Sequence, residues 1–481
     1  MANKKDVQEV IKGGLILQSG FLIGKLFRMV LQMVLTRGLG VTGYGLYALG
    51  MSFNDLVICF GSMGHFGAIV RFGSIYVDKN EKSRLKGLVV ELFVITQAIV
   101  LGLAVLLFIF ADKIAVLYFH NSELGGVLKI ICIGLPFYAV FLEILAVTIA
   151  FQKLAYTTIL NDLIQVISQI LLVSLVLFLG LGLLGATATF VLATIISIIA
   201  GFLFLGKHFP QFFSNLKSVF EFKRVLTYSL PLTVILFSQI MFLNINKIII
   251  GLFNTPYEVG IFNVVFLVSY QLPLLAGALV QSFAPVISIL QHKQELNKLE
   301  QYYKIVARWN NFILFFPALI IIVFNQDILA LFGPLFKNGG AALIILSIVF
   351  FIDSIPGNLS KFFEITGLQK IESINSVCTV ILNMVLGFIF IPRWGLWGAV
   401  IAISVSMLFI SAIRLVELKI NFKFSPLTRE YLFFLLYGVL AMGIAYLFLK
   451  SMNFYLKIAG TIILMSGSWP FIKRVKEKSE V

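Results

Sequence analysis

Five polar residues, Gln18, Lys25, Arg28, Gln32 and Thr36, interrupt an apolar stretch near the start of the chain at steps of seven, three, four and four. On a helix those steps share one face. Two of the five are cations, and guanidinium and ammonium groups are the charge-assisted donors that a phosphate or carboxylate requires. Cations cannot stay in hydrocarbon unless water, an acid or a ligand receives them. The stripe is therefore expected to line an aqueous cavity. The alternatives are that Lys25 and Arg28 snorkel to the membrane surface or pair with an acid, Glu143 and Asp55 being candidates. Further along, Gln239, Asn244, Asn246 and Lys247 cluster in one apolar segment, with Lys247 toward its end. Asn263, Tyr270, Gly277 and Gln281 follow at steps of seven, seven and four. They would line a cavity too, although a helix-packing stripe has the same spacing. Asn54, Asp55 and His65 are the corresponding polar residues of the first half, and Arg71 follows where an ordinary basic flank is the default reading. Asp353, Lys361 and Glu364 are expected to form internal ion pairs.

None of this is catalytic chemistry. The four histidines, His65, His120, His208 and His292, lack metal-ligand spacing, and no phosphate-binding loop is present. Cys59, Cys132 and Cys378 lie far apart in apolar segments, so neither a disulfide framework nor a cysteine metal site is expected. No catalytic residue, metal or cofactor is assigned, and the chain is read as a non-enzyme.

The elements that position these residues follow from apolarity. Hydrophobic residues make up 60% of the 481 and charged ones 12%, and the mean hydropathy is +1.01, which excludes a soluble fold. Stretches long enough to cross a bilayer recur throughout, giving an all-α integral membrane protein of about fourteen transmembrane helices. Seven are expected near 13–37, 44–69, 87–111, 124–151, 155–179, 182–206 and 226–252. Seven more are expected near 259–287, 309–332, 339–364, 372–391, 395–420, 430–449 and 454–472. The first is too long for a signal peptide and is expected to be retained. Connections are short, the longest on the outer side running from about Asp112 to Glu123, which leaves no soluble catalytic domain.

Numbering the loops alternately puts 27 of the 37 basic residues on the side of the N-terminus and six on the other. Both termini should then be cytoplasmic, in a multi-pass protein of the cell membrane. The net charge of +15 is explained by loops lying beside anionic membrane lipids, with no nucleic-acid partner.

A faint repeat relates the two halves. Gly45-Leu46-Tyr47 matches Gly260-Ile261-Phe262 at a shift of 215, and Gly182-Leu183-Leu184-Gly185-Ala186 matches Gly395-Leu396-Trp397-Gly398-Ala399 at 213. Between them the stripe Asn161, Gln165, Gln169 matches Asn375, Thr379, Asn383 at 214. Six helices per copy makes the copies parallel. The expected organisation is an N-terminal lobe at 1–206, a cytoplasmic linker at 207–225, a C-terminal lobe at 226–424, and two accessory helices with a basic tail at 425–481. Pro136, Pro231, Pro273, Pro285, Pro317 and Pro356 fall in or beside spans, where they can kink helices.

Thr36-Arg37-Gly38-Leu39-Gly40 with Gly43-Tyr44-Gly45-Leu46-Tyr47-Ala48-Leu49 resembles the first-loop motif of Wzx-type polysaccharide flippases, within the multidrug/oligosaccharidyl-lipid/polysaccharide exporter superfamily. Ser229-Leu230-Pro231, Asn246-Lys247-Ile248-Ile249-Ile250-Gly251 and Glu258-Val259-Gly260-Ile261-Phe262-Asn263 are similar to the same family's second motif. The resemblance implies two six-helix lobes forming a V around a central cavity, and alternating access that carries a polyprenyl-(pyro)phosphate-linked oligosaccharide to the outer leaflet. It implies that Lys25, Arg28 and Arg71 meet the phosphate, and that Gln18, Gln32, Asn246, Lys247, Asn263, Tyr270 and Gln281 belong to the cavity that binds the cargo. Glycan assembly enzymes are further candidate partners.

Two departures stand out. Asn246 replaces the acid many relatives carry before Lys247, which weakens a coupling role there, and the extra basic residue of lipid II flippases in the eighth span is missing. Rival readings are a drug or cation antiporter of the same superfamily, which calls for embedded acids where the first span has cations, and a membrane glycan ligase or polymerase, which calls for catalytic groups on an outer loop.

Overall fold

Every regular element among the described residues is a helix, the outcome lipid dictates, because a helix satisfies its own backbone groups where no water can. The computed structural model describes residues 4–208, 217–424, 429–449 and 454–466, with side chains of the first helix from Gly24 onward. Ten helices are each long and apolar enough to cross a membrane, and a bent pair makes an eleventh crossing. The pair is α1 (Lys4–Ser62) and α2 (His65–Asp78), bent by 48°. The elements of the first half continue with α3 (Lys82–Leu117), α4 (Glu123–Ala150), α5 (Leu154–Phe178), α6 (Gly182–His208) and α7 (Phe222–Phe253). Those of the second are α8 (Pro256–Ser282), α9 (Leu296–Val323), α10 (Pro334–Ile365), α11 (Gln369–Trp394) and α12 (Leu396–Phe422).

The first two expected spans are two helices that meet at a kink, where Gly40 (φ 67°, ψ −179°) leaves helical geometry. Glycine reaches that conformation without a Cβ penalty, so the chain kinks there without a turn. Among the described residues, length and apolarity thus count up to eleven crossings, where the sequence suggested about fourteen. The last two expected spans fall on helices Arg429–Ile444 and Phe454–Ser466, and the end of the final one lies outside the described residues.

The chain divides into two compact units, Met1–Gly260 and Ile261–Val481. In the first, α4 is the central helix: 61% of its apolar window is buried, against 22% for α3, whose other faces are left to lipid. Phe72, Tyr76, Leu88, Leu92, Phe141 and Leu145 form the core between α2, α3 and α4. Gly45 of α1 lies against the start of α8, where a Cβ would stand 1.8 Å from the Pro256 carbonyl oxygen. A Cβ on Gly260 would stand 2.2 Å from the Val41 oxygen. The two glycines matched by the repeat are each pressed against the backbone of the other's segment.

The segment before α7 is fastened to the same unit. Val219 donates its N–H to the Ser83 oxygen at 3.2 Å and Glu221 its N–H to the Glu91 carboxylate at 3.1 Å. The Glu221 carboxylate accepts from the Tyr76 hydroxyl at 2.7 Å and from Arg224 at 2.9 Å, and Arg84 lies 3.4 Å away. Together these hold its carboxyl below the usual glutamate range, the Tyr76 hydrogen bond first. A depressed native value gives stability that is present above the unfolded glutamate range and lost as pH falls through the native one. Glu221→Gln is therefore expected to flatten the acid limb of a Tm-versus-pH curve in detergent, lowering Tm above the glutamate range while leaving it almost unchanged at acid pH. An unaltered acid limb would remove Glu221 from this role.

In the second unit, Tyr303, Phe362, Phe363, Leu418 and Phe422 pack into one core. Within α10 the helix breaks after Ser354, where Gly357 (φ 86°) and Asn358 (φ 50°) are left-handed. The freed carbonyls are satisfied from α9: Asn310 donates to the Ser354 oxygen at 2.7 Å, and the Tyr303 hydroxyl donates to the Pro356 oxygen. The other repeat motif also has a structural counterpart, since Gly182 (φ 59°) and Gly395 (φ 52°) both stand left-handed at the start of α6 and α12.

Candidate functional site

The α1 stripe meets α5 at a π-helical turn, Ile159–Ile164, a local widening that marks functional sites often enough to be informative. Arg28 reaches across to it. Its Nη2 lies 3.1 Å from Asp162 Oδ1 and donates to the Asn161 backbone oxygen at 3.1 Å, and Nε lies 3.4 Å from the same carboxylate oxygen. Asn161 Nδ2 adds a further donor to that oxygen at 3.0 Å. Gly24 permits this approach, since a Cβ there would fall 2.4 Å from Asp162 Cβ. The acid that receives Arg28 is thus Asp162, in place of the sequence candidates Glu143 and Asp55.

The pair is not sealed. The Arg28 side chain is 45% exposed and Asp162 17%, so guanidinium N–H groups remain available on that face. Lys25, one turn earlier, is half-buried and interacts electrostatically with Arg28 and Asp162. The rest of the stripe is drier than a continuous aqueous lining. Gln32 is half-buried and accepts from the Tyr44 hydroxyl at 2.7 Å, and Thr36 is buried with its hydroxyl bonded to the Met33 oxygen at 3.0 Å. Gln18 lies before Gly24, where side chains are outside the described residues.

A second polar group joins α1 to α7. Asp55 accepts from Asn244 at 3.3 Å and from Asn54 at 3.4 Å, and Lys247 interacts with it electrostatically. Lys247 is half-buried beside this acid rather than extended to a membrane surface. Asn246 is 2% exposed and neither side-chain polar atom has a hydrogen-bond partner. Arg71 is exposed on α2, its guanidinium 4.4 Å from the centre of the Tyr228 ring, a cation–π contact.

In the second unit, Tyr270 sits where α8 breaks between Ser269 and Gln271. Its ring stacks on Phe266 at 5.2 Å and meets Phe350 edge-on at 5.7 Å. Asn263 is half-buried and Gln281 exposed. Asp353, Lys361 and Glu364 of α10 do form the expected ion pairs. Lys361 and Glu364 pair at 2.6 Å. Asp353 accepts from Ser411 and lies 3.9 Å from Arg414, which forks onto Glu372 at 2.6 and 3.0 Å. Glu417 accepts from Asn375 at 2.6 Å. Arg414, inside the apolar segment expected near 395–420, is 8% exposed within α12. Its spacing of three from Glu417 was the available sign that both charges share an internal face.

The repeat stripes prove to be contacts within each unit: Gln169 donates to the Tyr47 hydroxyl at 3.2 Å and Gln165 to Thr194 at 3.5 Å.

Described residues that hold no strand and form helices of membrane length define a multi-pass membrane protein. Solved structures agree on the fold. An inward-facing multidrug resistance MATE family transporter of the MOP superfamily matches with a TM-score of 0.70 at 13% identity, over 83% of this chain and 94% of that one. The lipid II flippase MurJ, in an inward closed conformation, matches with a TM-score of 0.69 at 16% identity, over 96% and 99%. The chain belongs to the polysaccharide biosynthesis protein family, whose model matches residues 10–291. Among curated relatives it is 30% identical over 177 residues to the "Probable flippase AglR" of Haloferax volcanii, covering 34% of this chain and 35% of that protein. It is 26% identical over 160 residues to the "Probable low-salt glycan biosynthesis flippase Agl15" of the same organism, covering 33% and 34%. The chain thus spans about a third of the length of the curated relatives it matches.

Proposed function

We propose that this protein is a flippase that moves a polyprenyl-(pyro)phosphate-linked oligosaccharide from the cytoplasmic to the outer leaflet by alternating access, without making or breaking a bond in it. The observation that carries the reading is the α1–α5 cluster, in which Arg28 is paired with Asp162 yet stays 45% exposed beside Lys25. A half-open guanidinium at membrane depth suits an anion, and a lipid-linked phosphate is an anion delivered within the bilayer. The names of the curated relatives point the same way.

In this reading Arg71 is a phosphate contact nearer the mouth, and Gln32, Asn246, Lys247, Asn263, Tyr270 and Gln281 face the glycan, with Gln18 completing the stripe. The bodies that exchange access are the lobes 1–206 and 226–424. Both termini are cytoplasmic, as the count of basic loops suggests, and a membrane potential negative inside would favour export of an anion by about 2.3 kcal/mol per charge per 100 mV.

Binding tests the reading without transport. A short-chain polyprenyl-pyrophosphate oligosaccharide is expected to raise the Tm of the purified protein in neutral detergent, while the uncharged polyprenol is not. Equal shifts from both would mean that the headgroup is not recognised. The antiporter reading keeps one point in its favour, Asp55 embedded beside Lys247. Stabilisation by a cationic dye and not by the pyrophosphate lipid would favour it.

A further inference from the structure

Glu143 of α4 takes no part in the site described above. It is 8% exposed, and neither carboxyl oxygen has a hydrogen-bond partner. It lies in the wall of a cavity of about 120 Å³ lined by Val89 and Phe93 of α3, Val140 and Val147 of α4, and Phe202 and Leu205 of α6. None of these is charged. Its polar neighbour is Thr96 of α3, whose hydroxyl also stands 2.8 Å from Nδ1 of His65. His65 is 1% exposed and its Nε2 is likewise without a partner. Three helices therefore bring a carboxyl, a hydroxyl and an imidazole together in an apolar setting, and no other charged group acts on Glu143 or His65 among the described residues.

The position is mechanical as well as chemical. His65 is the first residue of α2, directly after the break that bends it by 48° from α1. Gly64 at that break is left-handed (φ 71°), and a Cβ on it would lie 2.5 Å from the Ser229 oxygen of α7.

We propose that Glu143, Thr96 and His65 form an intramembrane proton-binding site at the α1–α2 hinge. A bare carboxylate among these side chains is an unpaired buried charge. A metal cation would need several more oxygen ligands than this cavity offers. A proton needs one oxygen, and it turns the carboxylate into a neutral acid whose O–H can donate to Thr96, which as a hydroxyl both accepts and donates. The step is the binding of one proton from water to a carboxylate oxygen and its release again. No other bond forms or breaks. Gaining or losing that charge beside His65 biases the bend, which is how the site would couple a proton gradient to helix movement.

Infrared difference spectra of the purified protein across a pH titration test this. The expected result is a protonated carboxylic C=O band that titrates, disappears in Glu143→Gln, moves in Glu143→Asp, and changes frequency in Thr96→Val or His65→Gln. Absence of any titrating band removed by Glu143→Gln overturns the proposal, as does a band indifferent to both Thr96→Val and His65→Gln. Coupling to transport rests on the flippase reading, and there Glu143→Gln is expected to abolish the pH dependence of flipping. The infrared result stands or falls without any cargo.

Discussion

Gly45→Val is expected to lose roughly 3 kcal/mol or more of stability, because forcing atoms into a packed site costs about 1–3 kcal/mol even where side chains can yield. Here the obstruction is backbone. A Cβ on Gly45 would fall 1.8 Å from the Pro256 oxygen and 3.0 Å from the Gly260 nitrogen, so α1 and the start of α8 must part before any side chain fits. The repeat deepens the effect, since Gly260 is closed against Val41 in the same way. Gly102 provides the control: nothing lies within 4 Å of its Cβ position, and Gly102→Val should stay within about 0.5 kcal/mol of native. Thermal unfolding in detergent, read as an apparent Tm, separates the two. A Gly45→Val protein that melts with native would show that this joint contributes nothing to the fold.

The second large effect concerns Arg28 and Asp162, where a structural ion pair and a phosphate site predict opposite things. As a mere ion pair with one partner 45% exposed, it contributes on the order of 1 kcal/mol at most, and either single substitution should do similar harm. As a phosphate site it is asymmetric. Arg28→Gln removes charge-assisted donors worth about 1.5–3 kcal/mol to the ligand, weakening its affinity about tenfold to a hundredfold. Asp162→Asn removes the competing carboxylate and should leave affinity equal or tighter. Dissociation constants for the pyrophosphate-linked oligosaccharide, measured on both variants, decide the matter. Equal weakening by both would make the pair structural and remove Arg28 from the cargo site.

How far these residues could be foreseen depends on how local the information was. The α1 stripe was legible because helical period and apolarity are properties of neighbouring residues, and Lys25 and Arg28 announced themselves by charge. Asp162 was not legible as their partner, because it lies 134 residues from Arg28 and its approach needs a glycine and a π turn that no periodicity reports. The break expected around Gly38–Gly43 is a kink at Gly40 between two helices, and its sharpness was not legible because clustered glycines permit a loop as readily as a kink. The burial of Arg414 was not legible either, because the Glu372 carboxylate that receives it lies 42 residues away. The repeat glycines were visible as letters, and their backbone contacts only as geometry.

Transport itself is the most direct test of the central claim. A fluorescent polyprenyl-pyrophosphate oligosaccharide placed in one leaflet of liposomes, with protein reconstituted at a known density, is followed by its accessibility to an external reagent. The native chain is expected to move it, and Lys25→Gln with Arg28→Gln, folded by Tm, to slow that movement at least tenfold. Native protein that leaves the lipid in place, or a double variant that flips it at the native rate, would contradict the account.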